Sequence, residues 1–253
     1  MAKMKKIITA GPLVKEALYP VGSRADSPKV RAGKKNLSSE AQQRMNDIYS
    51  WQKLEMMLAS NMVPGDLVVV LTYDDQHLPM SRKEAAAKVK YFRAKLSAAR
   101  RKREQELVMF WNEEHKHESE NATQDRRWHH HCVINATGDD YQEILRLWGQ
   151  GLIYVEPFRI NKEKNYESLA RYMCKEARDK LGQRSWSYTR NARKPEMESF
   201  RVPDDTPLNA PKGSTILAEV TSRTEYGCYR YIKYLGAGWQ HGPRKRARRK
   251  RRR

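Results

Sequence analysis

The segment Trp128-His-His-His-Cys-Val-Ile-Asn135 constrains the fold of this chain more than any other stretch. In an extended strand, alternate side chains point to one face. His129 and His131 therefore lie together on one side, and His130, Cys132 and Ile134 on the other. The sheet containing this strand has to pack the second face beneath helices while two imidazoles on the first remain close enough to grip one metal ion. About forty residues later comes Tyr172-Met-Cys-Lys175. Residues three apart in a helix share a face, so this stretch presents a phenol and an ammonium side by side.

The surrounding sequence supplies the remaining elements. Leu67-Val-Val-Val-Leu-Thr-Tyr73, β-branched and bounded by Pro64-Gly65 and Asp74-Asp75, reads as a buried central strand, with the two aspartates in a turn role. The box Ser81-x-x-Glu84 opens a long helix over 82 to 104, with Ala85, Val89, Phe92 and Leu96 inward and a charged, solvated outer face. Strands are expected from Leu107 to about Glu114, from Trp128 to Asn135 and from Leu152 to Phe158. A short helix capped by Asp139 or Asp140 runs through Ile144, Leu147 and Trp148 to Gly149, and the tyrosine helix from about Asn165 to Leu181. This order gives an α+β fold, the ferredoxin-like βαββαβ plan with an antiparallel sheet, an added tyrosine-bearing helix and peripheral extensions. Helices on one face would leave the other, with His129 and His131, free for ligand. In the added helix Leu169, Met173, Ala177 and Leu181 form the buried stripe, with Lys175 opposite and Tyr172 at its margin. Tyr166 lies about 120° around the helix from Tyr172, which favours a single nucleophilic tyrosine.

Beyond that core, residues 1 to 37 are basic and rich in Gly, Pro and Ser, and read as a flexible arm. Ser39 with Gln42 caps a helix over 38 to 61, whose stripe is Met45, Ile48, Trp51, Leu54 and Leu58. Residues 182 to 212 are Pro-rich and polar, and 214 to 235 read as one or two strands. Tyr226, Tyr229, Tyr231 and Tyr234 there either stack on unpaired bases or pack the sheet. One domain is expected over 38 to 236, with a core at about 66 to 181, followed by a disordered polybasic tail over 237 to 253.

Charge narrows the partner. Fifty Lys and Arg against thirty Asp and Glu give +20, which favours a polyanion. Nine of those cations crowd residues 243 to 253, and the rest of the chain still carries +11. The tail, with Arg244, Lys245, Arg246, Arg248, Arg249 and Lys250, reads as a nonspecific nucleic-acid clamp, with a solubilising overhang or targeting signal as alternatives. Cys132, Cys174 and Cys228 form no Cys-x-x-Cys pair, and their odd count fits a reducing cytoplasm. No segment reads as a signal peptide or a membrane span.

Together, Leu67 to Tyr73, Trp128-His-His-His-Cys-Val-Ile and Tyr172-Met-Cys-Lys175 resemble the three signature motifs of the His-hydrophobic-His (HUH) endonucleases. The likeness is to rolling-circle replication initiators of phages and plasmids, and it reaches from about residue 38 to 236. His130 departs from it, because that position is usually hydrophobic. The resemblance implies a nickase that keeps the 5′ end of the cut strand on Tyr172 as a phosphotyrosine and leaves a 3′ hydroxyl to prime replication. A phenol ordinarily ionises near pH 10, so Lys175 would stabilise phenolate character or neutralise phosphate charge. His129 and His131 would hold Mn²⁺ or Mg²⁺ with a third ligand from Asn112-Glu113-Glu114-His115, where Glu114 is favoured, Glu113 is the alternative, and His115 comes third. Single-stranded DNA at a replication origin is the implied partner. The chain lacks a Walker-type loop, so a host helicase would unwind the duplex and a host polymerase would extend it.

Two other readings compete. Relaxases and single-tyrosine transposases share the chemistry with a different arrangement of Tyr or His. A non-catalytic single-strand-binding module would share the sheet, but it has no need of paired histidines on its ligand face. A structural zinc site would need four closed ligands, and the sequence offers no Cys-x-x-Cys or His-x₃-His pair.

Overall fold

The computed structural model describes residues 3–21, 40–116, 127–160, 166–175, 184–224 and 227–237. The polybasic tail beyond 237, the Ser39 cap and the part of the tyrosine helix after Lys175 lie outside them. The described residues form a mixed α+β fold with two antiparallel sheets and four helices.

The first sheet holds the expected core elements. Strand β3 (Leu67–Leu71) pairs on one side with β7 (Ile153–Pro157) and on the other with β6 (Arg127–Ile134). β6 continues to β4 (Met109–Trp111), and β4 to the short β8 (Ser187–Tyr188). Between β3 and β4 runs α2 (Arg82–Lys102), and between β6 and β7 runs α3 (Asp140–Trp148). This arrangement is broadly compatible with a ferredoxin-like core. Ser81 caps α2 by accepting the Glu84 N–H, and α3 ends on Gly149 in the left-handed region at φ 56°. Ala85, Val89, Phe92 and Leu96 recur at helical spacing and bury against Val69, Leu71, Cys132, Ile134 and Ile153. Each of the larger side chains contributes about 1.5–3 kcal/mol. At the end of this layer Arg100 is fully buried, bonded to the Asn135 carbonyl at 2.8 Å and to Asp140 at 2.7 Å, which ties α2 to the start of α3.

The opposite face of this sheet is not free. Val133 and Phe110, on the same side as His129 and His131, pack beneath Leu54, Met57 and Leu58 of α1 (Glu40–Asn61) and Ala170 and Met173 of α4 (Glu167–Lys175). At the histidine end α4 meets this face through Tyr172, and His129 there stays partly exposed. Met45 and Ile48, expected in the buried stripe of α1, are exposed, and packing begins farther along, at the partly buried Trp51 and the fully buried Leu54.

The termini depart most from expectation. Composition suggests a flexible arm over 1 to 37, yet β1 (Lys3–Ala10) and β2 (Leu13–Pro20) form a hairpin. This hairpin is the centre of a second, five-stranded sheet with β9 (Glu196–Val202), β10 (Thr215–Thr224) and β11 (Gly227–Leu235). Within the stretch that reads as polar linker, β9 is an exposed edge strand paired to β1. The hairpin turn uses Gly11 at φ +56°, where an added Cβ would collide with the Ala59 carbonyl oxygen. The alternation of β2 is hard to read because its inward residue Lys15 is charged. Its ammonium is buried 2.7 Å from Glu55 on α1, whose other oxygen takes Lys233 of β11 at 3.0 Å. Tyr234, one of the aromatics considered for base stacking, is buried and donates to Glu16 at 2.6 Å.

Candidate metal centre

The centre is set by the register of three strands. β5 (Glu114–Lys116) continues the line of β4 along β6, so Glu114 stands opposite His129. Directly paired residues of an antiparallel ladder project on one side, which places the Glu114 carboxylate on the face of His129 and His131. Its Oε2 is 3.0 Å from Nε2 of His131 and 3.7 Å from Nε2 of His129. The potential ligand atoms of these three residues all lie within 4.8 Å of one another. Glu114 and His131 are buried, and His129 is half-buried at the mouth.

The donor chemistry fits a cation. His131 Nε2 is buried and makes no hydrogen bond although a carboxylate oxygen is 3.0 Å away, so the contact lacks the direction of an N–H···O bond. An imidazole nitrogen and a carboxylate oxygen held this close, with a second imidazole beside them, are arranged as ligands are. His129 Nδ1 lies 3.4 Å from the Arg127 carbonyl, a long contact consistent with a proton on Nδ1 and a lone pair on Nε2. Three ligands of this kind suit a divalent ion with open positions.

Glu113, the alternative third ligand, points to the opposite side. It lies 3.3 Å from Arg82 of α2, and burial raises its carboxyl pKa against the partial opposition of that guanidinium. Asp74 serves its turn, accepting the Gln76 and His77 N–H groups, and Asp75 pairs with Arg127.

Tyr172 on α4 is half-exposed, with its ring edge-on to that of His131, centroids 4.8 Å apart. Lys175 is exposed at the last residue of the same helix. Tyr166 points the other way, fully buried against Phe158 with centroids 5.9 Å apart.

Three residues that sequence reasoning gave no role here build the support. Asn112, fully buried opposite His131, gives its side-chain Oδ1 to the His131 N–H at 2.9 Å and its Nδ2 to the Met173 carbonyl of α4 at 2.9 Å. Its backbone carbonyl, thereby relieved of a ladder bond, accepts from Nδ1 of His130 at 2.9 Å. Tyr73 donates its hydroxyl to Nε2 of His130 at 2.7 Å. His130 is thus satisfied at both nitrogens on the helix side, and burial pulls its pKa down to about 3, keeping it neutral. This accounts for a histidine where the resemblance expects a hydrophobic residue. The only prior signal for Asn112 was its place beside the two glutamates.

Comparison with known proteins bears on this region. Residues 66–180 match the family model described as Replication-associated protein ORF2, somewhat less than half of the chain. The matched span contains Glu114, His129, His131, Tyr172 and Lys175, and leaves out the five-stranded sheet. No curated protein and no solved structure matches the chain. The family match and the three-residue cluster together support a nucleic-acid-processing role of the HUH type for the region that carries the centre.

Proposed function

We propose that the protein is a metal-dependent, sequence-specific DNA nicking and joining enzyme that initiates rolling-circle replication. The observation that carries this reading is the half-exposed phenol of Tyr172 edge-on to His131, at the rim of a cluster able to bind a cation. Glu114, His129 and His131 would hold Mn²⁺ or Mg²⁺, which when bound withdraws charge from a phosphate. Tyr172 Oη forms a bond to the scissile phosphorus as the bond from phosphorus to the 3′ oxygen breaks. The phenolic proton passes to solvent, and the departing oxygen takes up a proton to become the free 3′ hydroxyl. Lys175 offsets negative charge on the phenol or the phosphate. Rejoining reverses these steps, so one tyrosine serves both. The substrate is single-stranded DNA at an origin, exposed by a host helicase and extended by a host polymerase, and the basic tail adds nonspecific affinity.

The test is incubation of the purified chain with end-labelled single-stranded DNA from its own locus and Mn²⁺, read on a denaturing gel. A protein–DNA adduct that disappears with EDTA and in Tyr172→Phe is the expected result. Tight single-strand binding without an adduct would replace this reading by a binding module. Unchanged cleavage in both His129→Ala and His131→Ala would defeat the metal assignment.

A further inference from the structure

At the end of the first sheet remote from the histidines, a cavity of about 1660 Å³ opens between the last turn of α1, the C-terminal half of α2 and the turn 189–194. Five cations line it, Arg93 and Arg101 from α2 and Arg190, Arg193 and Lys194 from the turn. Glu104, Glu106 and Glu196 line it too, yet none of the five cations forms an ion pair with a described residue. Arg93 Nε is buried without a hydrogen-bond partner.

The basic turn is held in place from two sides. Asn61 at the end of α1 donates to the Arg193 carbonyl and accepts the Arg193 N–H, each at 2.8 Å. Thr189 N–H reaches the Met109 carbonyl of β4 at 3.0 Å, and Ala192 N–H closes the turn on Thr189 at 3.0 Å. The exposed side chains of Arg190, Arg193 and Lys194 therefore project from a fixed backbone. Preorganised cations without carboxylate partners suit a polyanion. Tyr166 is the one aromatic residue lining the cavity, and it is 2% exposed. A groove of cations without an exposed ring contacts phosphates rather than stacking bases.

We propose that this groove is a second DNA contact, holding the phosphodiester backbone of duplex that flanks the cleaved strand. Val108 and Asn135 line it, six residues along β4–β5 and β6 from Glu114 and His129. Six residues of strand span about 20 Å, the length of about six base pairs. One DNA molecule can thus engage both sites at once. The inference rests on the reading that the substrate is DNA.

The experiment compares the full wild-type chain with the triple variant Arg190→Ala, Arg193→Ala, Lys194→Ala, binding a short duplex of arbitrary sequence over a salt series. A second variant, Lys90→Ala, Lys212→Ala, Arg223→Ala, removes the same charge elsewhere. Loss of three phosphate contacts should flatten the slope of log affinity against log salt by about 2–3 and weaken duplex binding tenfold or more at low salt. The charge-matched variant should retain most of the wild-type slope. Adduct formation on a single-stranded oligonucleotide should be unchanged in the groove variant. An unchanged slope, or an equal loss in the charge-matched variant, overturns the groove. If the wild-type chain forms no adduct, the nicking reading fails while the duplex slope still decides the groove. If the adduct forms and the groove variant binds duplex as wild type does, the groove alone fails.

Discussion

The side-chain amide of Asn112 joins the strand of His131 to the helix of Tyr172, because its Nδ2 donates to the Met173 carbonyl at 2.9 Å while its Oδ1 holds the His131 N–H. Only a group that donates and accepts at once can make this link. Asn112→Asp keeps an acceptor for His131 but sets a carboxylate against a carbonyl. Stability should fall by about 1–3 kcal/mol, and amide hydrogen exchange should rise across Glu167–Lys175. At saturating DNA the adduct rate should fall while the KM for DNA holds. Exchange equal to wild type would show that Asn112 does not dock α4.

Cation binding can be read without DNA. Mn²⁺ at a hundred times its dissociation constant should stabilise the chain by about 2.7 kcal/mol, seen as a higher thermal midpoint. Glu114→Gln and His131→Ala should lose that increment, and Glu113→Gln should keep it, since Glu113 faces Arg82. A shift lost in Glu113→Gln and retained in Glu114→Gln would reverse the ligand assignment.

Acid should weaken the contact between α2 and α3. Burial alone would raise the Asp140 carboxyl pKa. Hydrogen bonds from the Thr137 N–H and hydroxyl, the Arg100 guanidinium and the Gly138 N–H outweigh it, leaving the pKa below the ordinary carboxylate value. A carboxyl depressed in the folded state contributes stability above its unfolded pKa and loses it as pH falls through the folded one. Denaturant unfolding should therefore show a decline below about pH 4 that is shallower in Asp140→Asn. At pH 7 that variant should be less stable by about 3–5 kcal/mol, because Arg100 keeps a buried charge without its carboxylate.

Glu55 bridges two buried ammonium groups from different strands of the second sheet, and Glu167 of α4 takes the second of them, Lys233, at 2.6 Å. Glu55→Gln should cost about 3–5 kcal/mol, whereas replacing Lys15, Glu55 and Lys233 together by Met, Leu and Met should lie closer to wild type, because Glu167, which loses Lys233, keeps Arg171 at 2.6 Å. Chemical denaturation of both variants decides this. A triple variant as unstable as the single one would mean that the charges do more than neutralise each other.

Where local periodicity suffices, the order of residues is enough to specify the structure. The alternation through Trp128 to Asn135 assigns His129 and His131 to one face, and the inward stripe of Ala85, Val89, Phe92 and Leu96 appears in α2 as read. The long-range relations depend instead on how strands and helices come together. Glu114 and Glu113 are adjacent and chemically alike, and only the pairing of Glu114 with His129 separates them. The second sheet joins residues 3–20 to residues 196–235, and no local pattern reveals partners so far apart. Its inward lysines look like solvent residues until Glu55 of α1 and Glu167 of α4 pair with them. Asn112 and His130 were opaque for the same reason. A polar residue in a strand carries no label for the donor or acceptor it will meet, and burial without a partner is too costly for the fold to leave that unsettled.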